Sequence, residues 1–330
     1  MNKDKQIEKV NPTPIPVTVV AGFLGAGKTT LVNHILKGDH GLRIAVVVND
    51  FGSINIDAEL ITDVGEGMVS LANGCICCVI RTDLISAVLQ LADRPERPDH
   101  IVIESSGVAD PASVVRAFMV PEIRSSVLLD GVITVVDAEW LPSCADDEAD
   151  LARQIAGSDL VVLNKTDLVD PAGLVAARDR ILRSRPGVGI LEADHCRLPI
   201  EVLLGVHSND PEGPGPASID GLHHDHGLAF ETWTYRSPNP LSLGLLQQLL
   251  QNLPPTLLRA KGFVYAADKP HQRTLLQLVG RRATLAVKGS WNGQPPQTQL
   301  VFIAKNDSCN FHAIGAALDC CRAERGCSGV

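Results

Sequence analysis

Short aliphatic runs punctuate the first two thirds of the chain. Ile15–Ala21, Arg43–Asn49, His100–Glu104, Gly131–Asp137 and Asp159–Asn164 are β-branched, bounded by polar or Gly residues, and read as buried strands. Gly189–Ala193 is a sixth candidate. Helical patterns lie between them at Lys28–Lys37, Arg81–Ala92, Pro111–Phe118, Asp147–Ala156 and Pro171–Arg185. Strand and helix alternate, which predicts an α/β unit with a doubly wound, mostly parallel sheet.

The pattern breaks at residues 207–227, where Gly, Pro and His collect, and this stretch reads as a linker. A different order follows. Strands are predicted at Ala229–Tyr235, Gly262–Ala267, Gln272–Val279, Thr284–Lys288 and Gln299–Ala304, with helices at Leu241–Asn252 and near Ala313–Cys321. That is a smaller α+β unit with an antiparallel sheet. The expected organisation is a leader over 1–14, an α/β domain over 15–206, the linker, an α+β domain over 228–321 and a tail over 322–330.

Composition narrows the function classes. Hydrophobic residues make up 45% of the 330 and aromatics only 4%, so Val, Leu, Ile and Ala must fill the core. The net charge of −9 comes with no basic stripe in the sequence, which argues against nucleic acid as a partner. No apolar stretch approaches the roughly 18 residues that span a bilayer, and the N-terminus is polar and then Pro-rich. The expectation is a cytoplasmic protein without a membrane partner.

The strongest local signal is Gly22-Phe-Leu-Gly25-Ala26-Gly27-Lys28-Thr29-Thr30, which fits the phosphate-loop pattern. It follows a predicted strand and opens a predicted helix. By chance the pattern would arise in roughly 1% of chains of this length, and the context lowers that further. Its glycines let backbone N–H groups curl around phosphates, and the helix N-terminus adds its dipole. Lys28 is placed to reach the β- and γ-phosphates, and Thr29 to ligate Mg²⁺.

Asn164-Lys165-Thr166-Asp167 follows a strand further along. In a phosphate-loop fold it reads as the guanine-selecting motif. The acceptor-only Asp167 carboxylate suits the two donors on the guanine edge, a pair that adenine lacks. His100-Ile-Val-Ile-Glu104-Ser-Ser-Gly107 resembles the second acidic motif of such proteins. There Glu104 would support Mg²⁺ and Gly107 would sense the γ-phosphate.

The nine cysteines include three within four residues, Cys75, Cys77 and Cys78. Soft thiolates favour zinc and related transition metals, whereas a disulfide framework is foreign to the cytosol. The alternative is a set of small apolar groups in a core. His34 reads as a satisfied structural histidine, and His195–Cys196 as a pair with no third ligand nearby.

Together, the loop at 22–30, the cysteine cluster, the stretch 104–111 and the motif at 164–167 resemble the CobW-like GTPases. These are related to the nickel accessory GTPases of urease and hydrogenase. The resemblance spans roughly residues 15–320. It implies a slow GTPase, converting GTP to GDP and phosphate with Mg²⁺. It also implies Zn²⁺ or Co²⁺ cargo at Cys75, Cys77 and Cys78, a client metalloprotein, and a nucleotide-dependent homodimer. In relatives the segment at 49–53 reads Asn-Glu-Phe-Gly-Glu. This chain has Asp50 and Ser53; Asp57 and Glu59 just downstream are the candidates to replace the carboxylate lost at 53, with Asp57 expected as a Mg²⁺ ligand. The His-rich loop of relatives is shortened to His223, His224 and His226, which suits either a solvated linker or a metal-loading arm.

Two rival functions remain. One is a GTP-dependent, metal-sensing regulator or activator of a metalloenzyme that transfers no metal. The other is a small-molecule kinase, which the motif at 164–167 disfavours.

Overall fold

A computed structural model describes residues 13–50, 68–72, 78–105, 111–118, 120–143, 148–205, 230–291, 293–306 and 308–323. The expected site residues Asp57, Cys75, Cys77 and Gly107 lie outside them, as do His223, His224 and His226. Cys78 lies in the backbone described, at a helix start.

The first unit is built on seven parallel strands. They are β1 (Ile15–Gly22), β2 (Ile44–Asp50), β3 (Met68–Ala72), β4 (His100–Ser105), β5 (Val127–Asp137), β6 (Leu160–Asn164) and β7 (Gly189–Ala193), in the spatial order β3-β2-β4-β1-β5-β6-β7. Helix α1 (Lys28–Lys37) follows β1, and α2 (Cys78–Ala92) follows β3. Helices α3 (Pro111–Ala117), α4 (Pro121–Arg124), α5 (Trp140–Ser143), α6 (Glu148–Ile155), α7 (Pro171–Ser184) and α8 (Ile200–Leu204) complete the unit.

Alternate residues of these strands serve different layers. Val20, Val46, Val102 and Ile133 pack with Leu31, Val32 and Ile35 of α1. Val19, Val47, Ile101 and Ile103 pack with Leu84, Val88 and Leu91 of α2 on the other side. Both faces are covered, which explains why the strands read as unbroken aliphatic runs.

The second unit is antiparallel throughout. Its strands are β8 (Phe230–Ser237), β9 (Leu257–Tyr265), β10 (Gln272–Val279), β11 (Arg282–Ser290) and β12 (Thr298–Lys305), ordered β11-β10-β9-β12-β8. Helices α9 (Leu243–Gln251) and α10 (Phe311–Cys320) cover one face, with Leu246, Ile314 and Leu318 set against Ala260, Val264, Leu276 and Phe302. Ser242 caps α9 by accepting from the Leu245 N–H, and Asn310 caps α10 by accepting from Ala313.

The other face meets the first unit. Leu258, Val279 and Ile303 join the α1-side core together with Val202 and Leu203 of α8. Across this seam the buried Arg259 guanidinium forms an ion pair with the buried Asp130 carboxylate. Arg259 also donates to the Val202 and Leu203 carbonyls, and Gln277 donates to Asp130 at 3.2 Å.

The structure adds to the sequence reading at several points. Strand β3 was not foreseen. Strand β5 begins at Val127, with a register shift opposite Val17/Thr18. Strand β9 begins at Leu257 rather than at Gly262. Helix α2 starts at Cys78, earlier than the Arg81 start that periodicity suggested.

Candidate functional site

Because the strands are parallel, the C-terminal ends of β1, β4, β5, β6 and β7 fall on one edge of the sheet. Register carries Gly22 beside Val135, Val20 beside Glu104, Asp137 beside Asn164, and Asn164 beside Ala193. In open α/β sheets this edge is where ligands bind.

The loop leaving β1 turns at Gly22, whose φ is +137°, and a Cβ there would lie 2.1 Å from the Val135 carbonyl oxygen. Only glycine fits that approach. Gly27 caps α1 at φ +109°, and a Cβ on it would meet the Asn164 amide nitrogen at 2.5 Å. Lys28 is buried, and its Nζ donates to the Phe23 carbonyl at 3.0 Å, closing the loop on itself. The Phe23 ring packs on Trp140 with centroids 4.7 Å apart, while Leu24 at the crest is 85% exposed. Ala26 is buried, and Gly25 and Thr30 are exposed.

The Thr29 hydroxyl donates to Glu104 Oε1 at 2.7 Å. A hydroxyl and a buried carboxylate in contact at the head of a phosphate loop form a hard-oxygen donor set, which fits Mg²⁺.

Two further loops meet beneath the phosphate loop. Asn164 holds them together. Its Nδ2 donates to the Ala26 carbonyl at 3.0 Å, and its Oδ1 accepts from the Cys196 N–H at 2.8 Å. Thus Asn164, expected at the nucleotide, spends both ends of its amide on protein and acts as a clamp. The Lys165 ammonium pairs with Asp137 at 2.7 Å, and Thr166 donates to the Ala193 carbonyl at 3.1 Å. Asp167 is exposed beyond them.

The loop Asp194–Leu198 is the part that sequence reasoning missed. Cys196 is buried with its Sγ 3.4 Å from the Gly27 carbonyl, and burial pushes its thiol up to about 12. His34 on α1 sits with Nε2 2.7 Å from the Leu198 carbonyl and 3.2 Å from the Leu198 N–H, which confirms its structural role. Asp167, Asp194 and His195 bring their ligand atoms within 4.8 Å of one another, so His195, expected to have no further ligand nearby beyond Cys196, lies beside two carboxylates, while the Cys196 thiol is not part of the group. Hydrogen bonding to His195 holds the Asp194 carboxyl below its usual range.

Among the described residues, the non-glycine residues with positive φ are Lys165 (61°), His195 (49°) and Cys196 (56°). All three lie in these two loops. Left-handed backbone at such residues costs of order 1–3 kcal/mol each and concentrates at ligand clamps. No fixed residue type marks the 194–198 loop. The available signal was its position, directly after a strand that follows the Asn164 motif.

Among the described residues, no helix is long and apolar enough to cross a membrane.

A family profile for the CobW/HypB/UreG nucleotide-binding domain matches residues 16–191, and one for the cobalamin synthesis protein CobW C-terminal domain matches residues 230–322. The chain is 34% identical to a protein named zinc chaperone CobW from Sinorhizobium, over 91% of this chain and 95% of that one. It is 34% identical to zinc-regulated GTPase metalloprotein activator 1 of Schizosaccharomyces pombe, over 72% of this chain and 66% of that one. The crystal structure of Zn(II)-bound YjiA GTPase from E. coli is similar at 27% identity and a TM-score of 0.44, covering 94% of this chain and all of that one. The chain belongs to the CobW/HypB/UreG family of nucleotide-binding proteins and carries the CobW C-terminal domain.

Proposed function

We propose that the protein is a GTP-hydrolysing metallochaperone that carries zinc or cobalt on Cys75, Cys77 and Cys78 and delivers it to a client protein. The observation that carries this reading is the meeting of three loops at one sheet edge. Thr29 touches Glu104 there, and Asn164 ties the phosphate loop to the loop at 194–198.

In this reading Asp167 selects guanine with its acceptor-only carboxylate. Gly22, Gly25, Ala26, Gly27 and Thr30 shape the phosphate cradle, Lys28 counters phosphate charge, and Gly107 senses the γ-phosphate. Thr29 and Glu104, with Asp57, hold Mg²⁺, which when bound neutralises charge developing on the phosphoryl oxygens. The described backbone on either side of the cysteines supports grouping them with this edge. The strand before them ends at Ala72, beside Asp50 of β2, and the helix after them starts at Cys78. Asn49 of β2 in turn lies beside Ser105, next to Glu104. Three thiolates leave a fourth coordination position open, which suits cargo that must be released. The names of the relatives support zinc as the metal and a metalloprotein as the client.

A metal-sensing activator without transfer is the second reading, favoured by the name of the Schizosaccharomyces pombe relative. Stoichiometric handover of metal to a client separates the two.

The test is a metal titration against a chromophoric chelator with a non-hydrolysable GTP analogue, its adenine counterpart, and GDP. GTP-bound wild type should hold metal roughly 5- to 150-fold more tightly than the GDP form, a coupling of about 1–3 kcal/mol. The adenine analogue should produce no such gain. The Cys77→Ala/Cys78→Ala variant should lose the tight site in every nucleotide state. Equal wild-type affinity in the GTP-analogue and GDP forms would overturn the switch.

A further inference from the structure

The strand pairing of the C-terminal sheet sorts its charges. Register sets Arg259 opposite Ile303 and Val279, Lys261 opposite Val301 and Gln277, and Val279 opposite Arg282. Following the alternation along each strand, every Lys and Arg of the five strands falls on one face. The lone strand carboxylate, Glu231, is paired with Ala304 and falls on the other. The cationic face is the one turned toward the parallel-sheet unit.

That unit supplies carboxylates for part of it. Arg259 has Asp130, Arg282 has Asp159, and Glu192 acts on Lys305. Lys261, Arg273 and Lys288 have no carboxylate of their own among the described residues. Asp130 reaches Lys261 only alongside Arg259. The Lys288 ammonium donates to the Pro14 carbonyl at 3.3 Å and feels Lys261 and Arg97 as like charges; burial and these cations push it down to about 8. Arg97 enters from the loop before β4, and its Nη2 donates to the Thr13 carbonyl at 3.4 Å. The nearby Asp99 is taken by Arg43.

Among the described residues, two donors buried here have no acceptor, Nε of Arg97 and Nε of Arg273. A half-buried concentration of like charge with unmet donors weakens the fold unless an acceptor completes it. Stacking fixes the orientation of one fork. The Arg273 guanidinium lies 3.6 Å over the Phe263 ring and 5.8 Å from Trp291. A stacked guanidinium keeps its planar donors ready for a carboxylate.

We infer that this face, around Lys261, Arg273 and Lys288, is a docking surface for an acidic segment of a partner protein. Charge complementarity is the argument for that occupant. Single-stranded nucleic acid fits less well, because stacking platforms need free ring faces. Here Arg273 covers Phe263, and Trp291 is buried with its indole N–H donating to the Pro270 carbonyl. The inference is independent of metal transfer, since it requires neither nucleotide nor cysteine.

The test is fluorescence anisotropy with a labelled Glu/Asp-rich peptide and, in parallel, a labelled oligouridine of equal charge, both at physiological ionic strength. Wild type should bind the peptide in preference to the oligouridine. Lys261→Gln/Lys288→Gln should weaken peptide binding about tenfold or more, and adding Arg273→Gln should weaken it further. The double variant relieves like-charge repulsion and leaves the Phe263 stack intact, so it keeps the test valid if the triple variant fails to fold. Arg153→Gln/Arg183→Gln removes the same charge from α6 and α7 and should leave peptide affinity unchanged. GTP hydrolysis should be the same in all variants. No binding of the peptide by wild type, unchanged affinity in the double variant, an equal loss in the α6/α7 variant, or equal or tighter binding of oligouridine would each overturn the inference.

Discussion

The two sheets of this molecule bury themselves differently. In the parallel sheet, every residue of β4 and β6 is buried, and β1 has a single partly exposed position. In the antiparallel sheet, β11 has no fully buried residue, and beyond Ala260 the residues of β9 other than Val264 are only partly buried. A sheet covered by helices on both faces uses all its side chains for packing. Its chemistry is therefore confined to the strand ends, where Gly22, Glu104, Asp137 and Asn164 sit. A sheet with helices on one face is free to place charge on the other. Arg259 and Lys261 therefore share that second face with Val279 and Ile303, and the seam between the units holds the buried ion pair.

The largest expected effect breaks the comparison at that seam. Arg259→Met leaves the buried Asp130 carboxylate with only the Gln277 amide and strips the Val202 and Leu203 carbonyls of their donor. Removing one partner of a buried pair costs about 3–5 kcal/mol. Denaturant titration should show that loss, and adding Asp130→Leu should recover much of it. A single-variant loss below about 1 kcal/mol would mean that the two sheets are not held together by this pair.

A smaller effect depends on pH. His100, the first residue of β4, is buried and hydrogen-bonded to the Thr18 hydroxyl at 2.8 Å. Burial holds its imidazole down at about 4, partly opposed by Asp130 and reinforced by Arg259 and Lys261. In the unfolded chain it titrates near 6.5. Between those values the unfolded state binds more protons, so stability falls as pH falls. The contribution is complete above about 6.5 and is lost toward 4, at no more than about 1.4 kcal/mol per pH unit. His100→Gln should flatten that window in pH-dependent unfolding, and an unchanged slope would remove His100 as its source.

The contrast between the sheets also explains what was legible in the sequence. Strands buried on both faces announce themselves as aliphatic runs, and β6 and β7 end where the pattern said. Helix α1 matches its predicted range because glycine stands immediately before and after it. Strand β9 was foreshortened because Arg259 and Lys261 look like surface residues, although the seam buries the first and half-buries the second. Strand β3 is a five-residue edge with no flanking period. At the site, Thr29 and Glu104 were legible as motif positions and do meet. The role of Asn164 as a clamp, and the loop at Asp194–Leu198 that it clamps, were not. Backbone conformation and long-range hydrogen bonds create them, and neither leaves a residue-type signature.

The smallest expected effect sharpens the seam by comparing its two ion pairs. Arg282 Nε donates to Asp159 at 2.7 Å, but the arginine side chain is 23% exposed, and the same carboxylate oxygen also accepts from the Val132 N–H at 2.9 Å. Arg282→Met therefore leaves a carboxylate that is still hydrogen-bonded at a site that water partly screens. The cost should be about 1–2 kcal/mol, well below that of Arg259→Met. Its pH dependence identifies the mechanism. Burial already raises the Asp159 carboxyl above its ordinary value against the pull of Arg282. Without Arg282 it rises further, so the variant's deficit should be largest near neutral pH. The deficit should shrink as pH falls and the carboxyl becomes protonated in the folded variant, where the lost partner matters least. Unfolding of wild type and variant compared at each pH cancels the His100 contribution. A deficit as large as that of Arg259→Met, or one independent of pH, would show that both pairs are sealed from water alike and that the seam does not grade from buried to exposed.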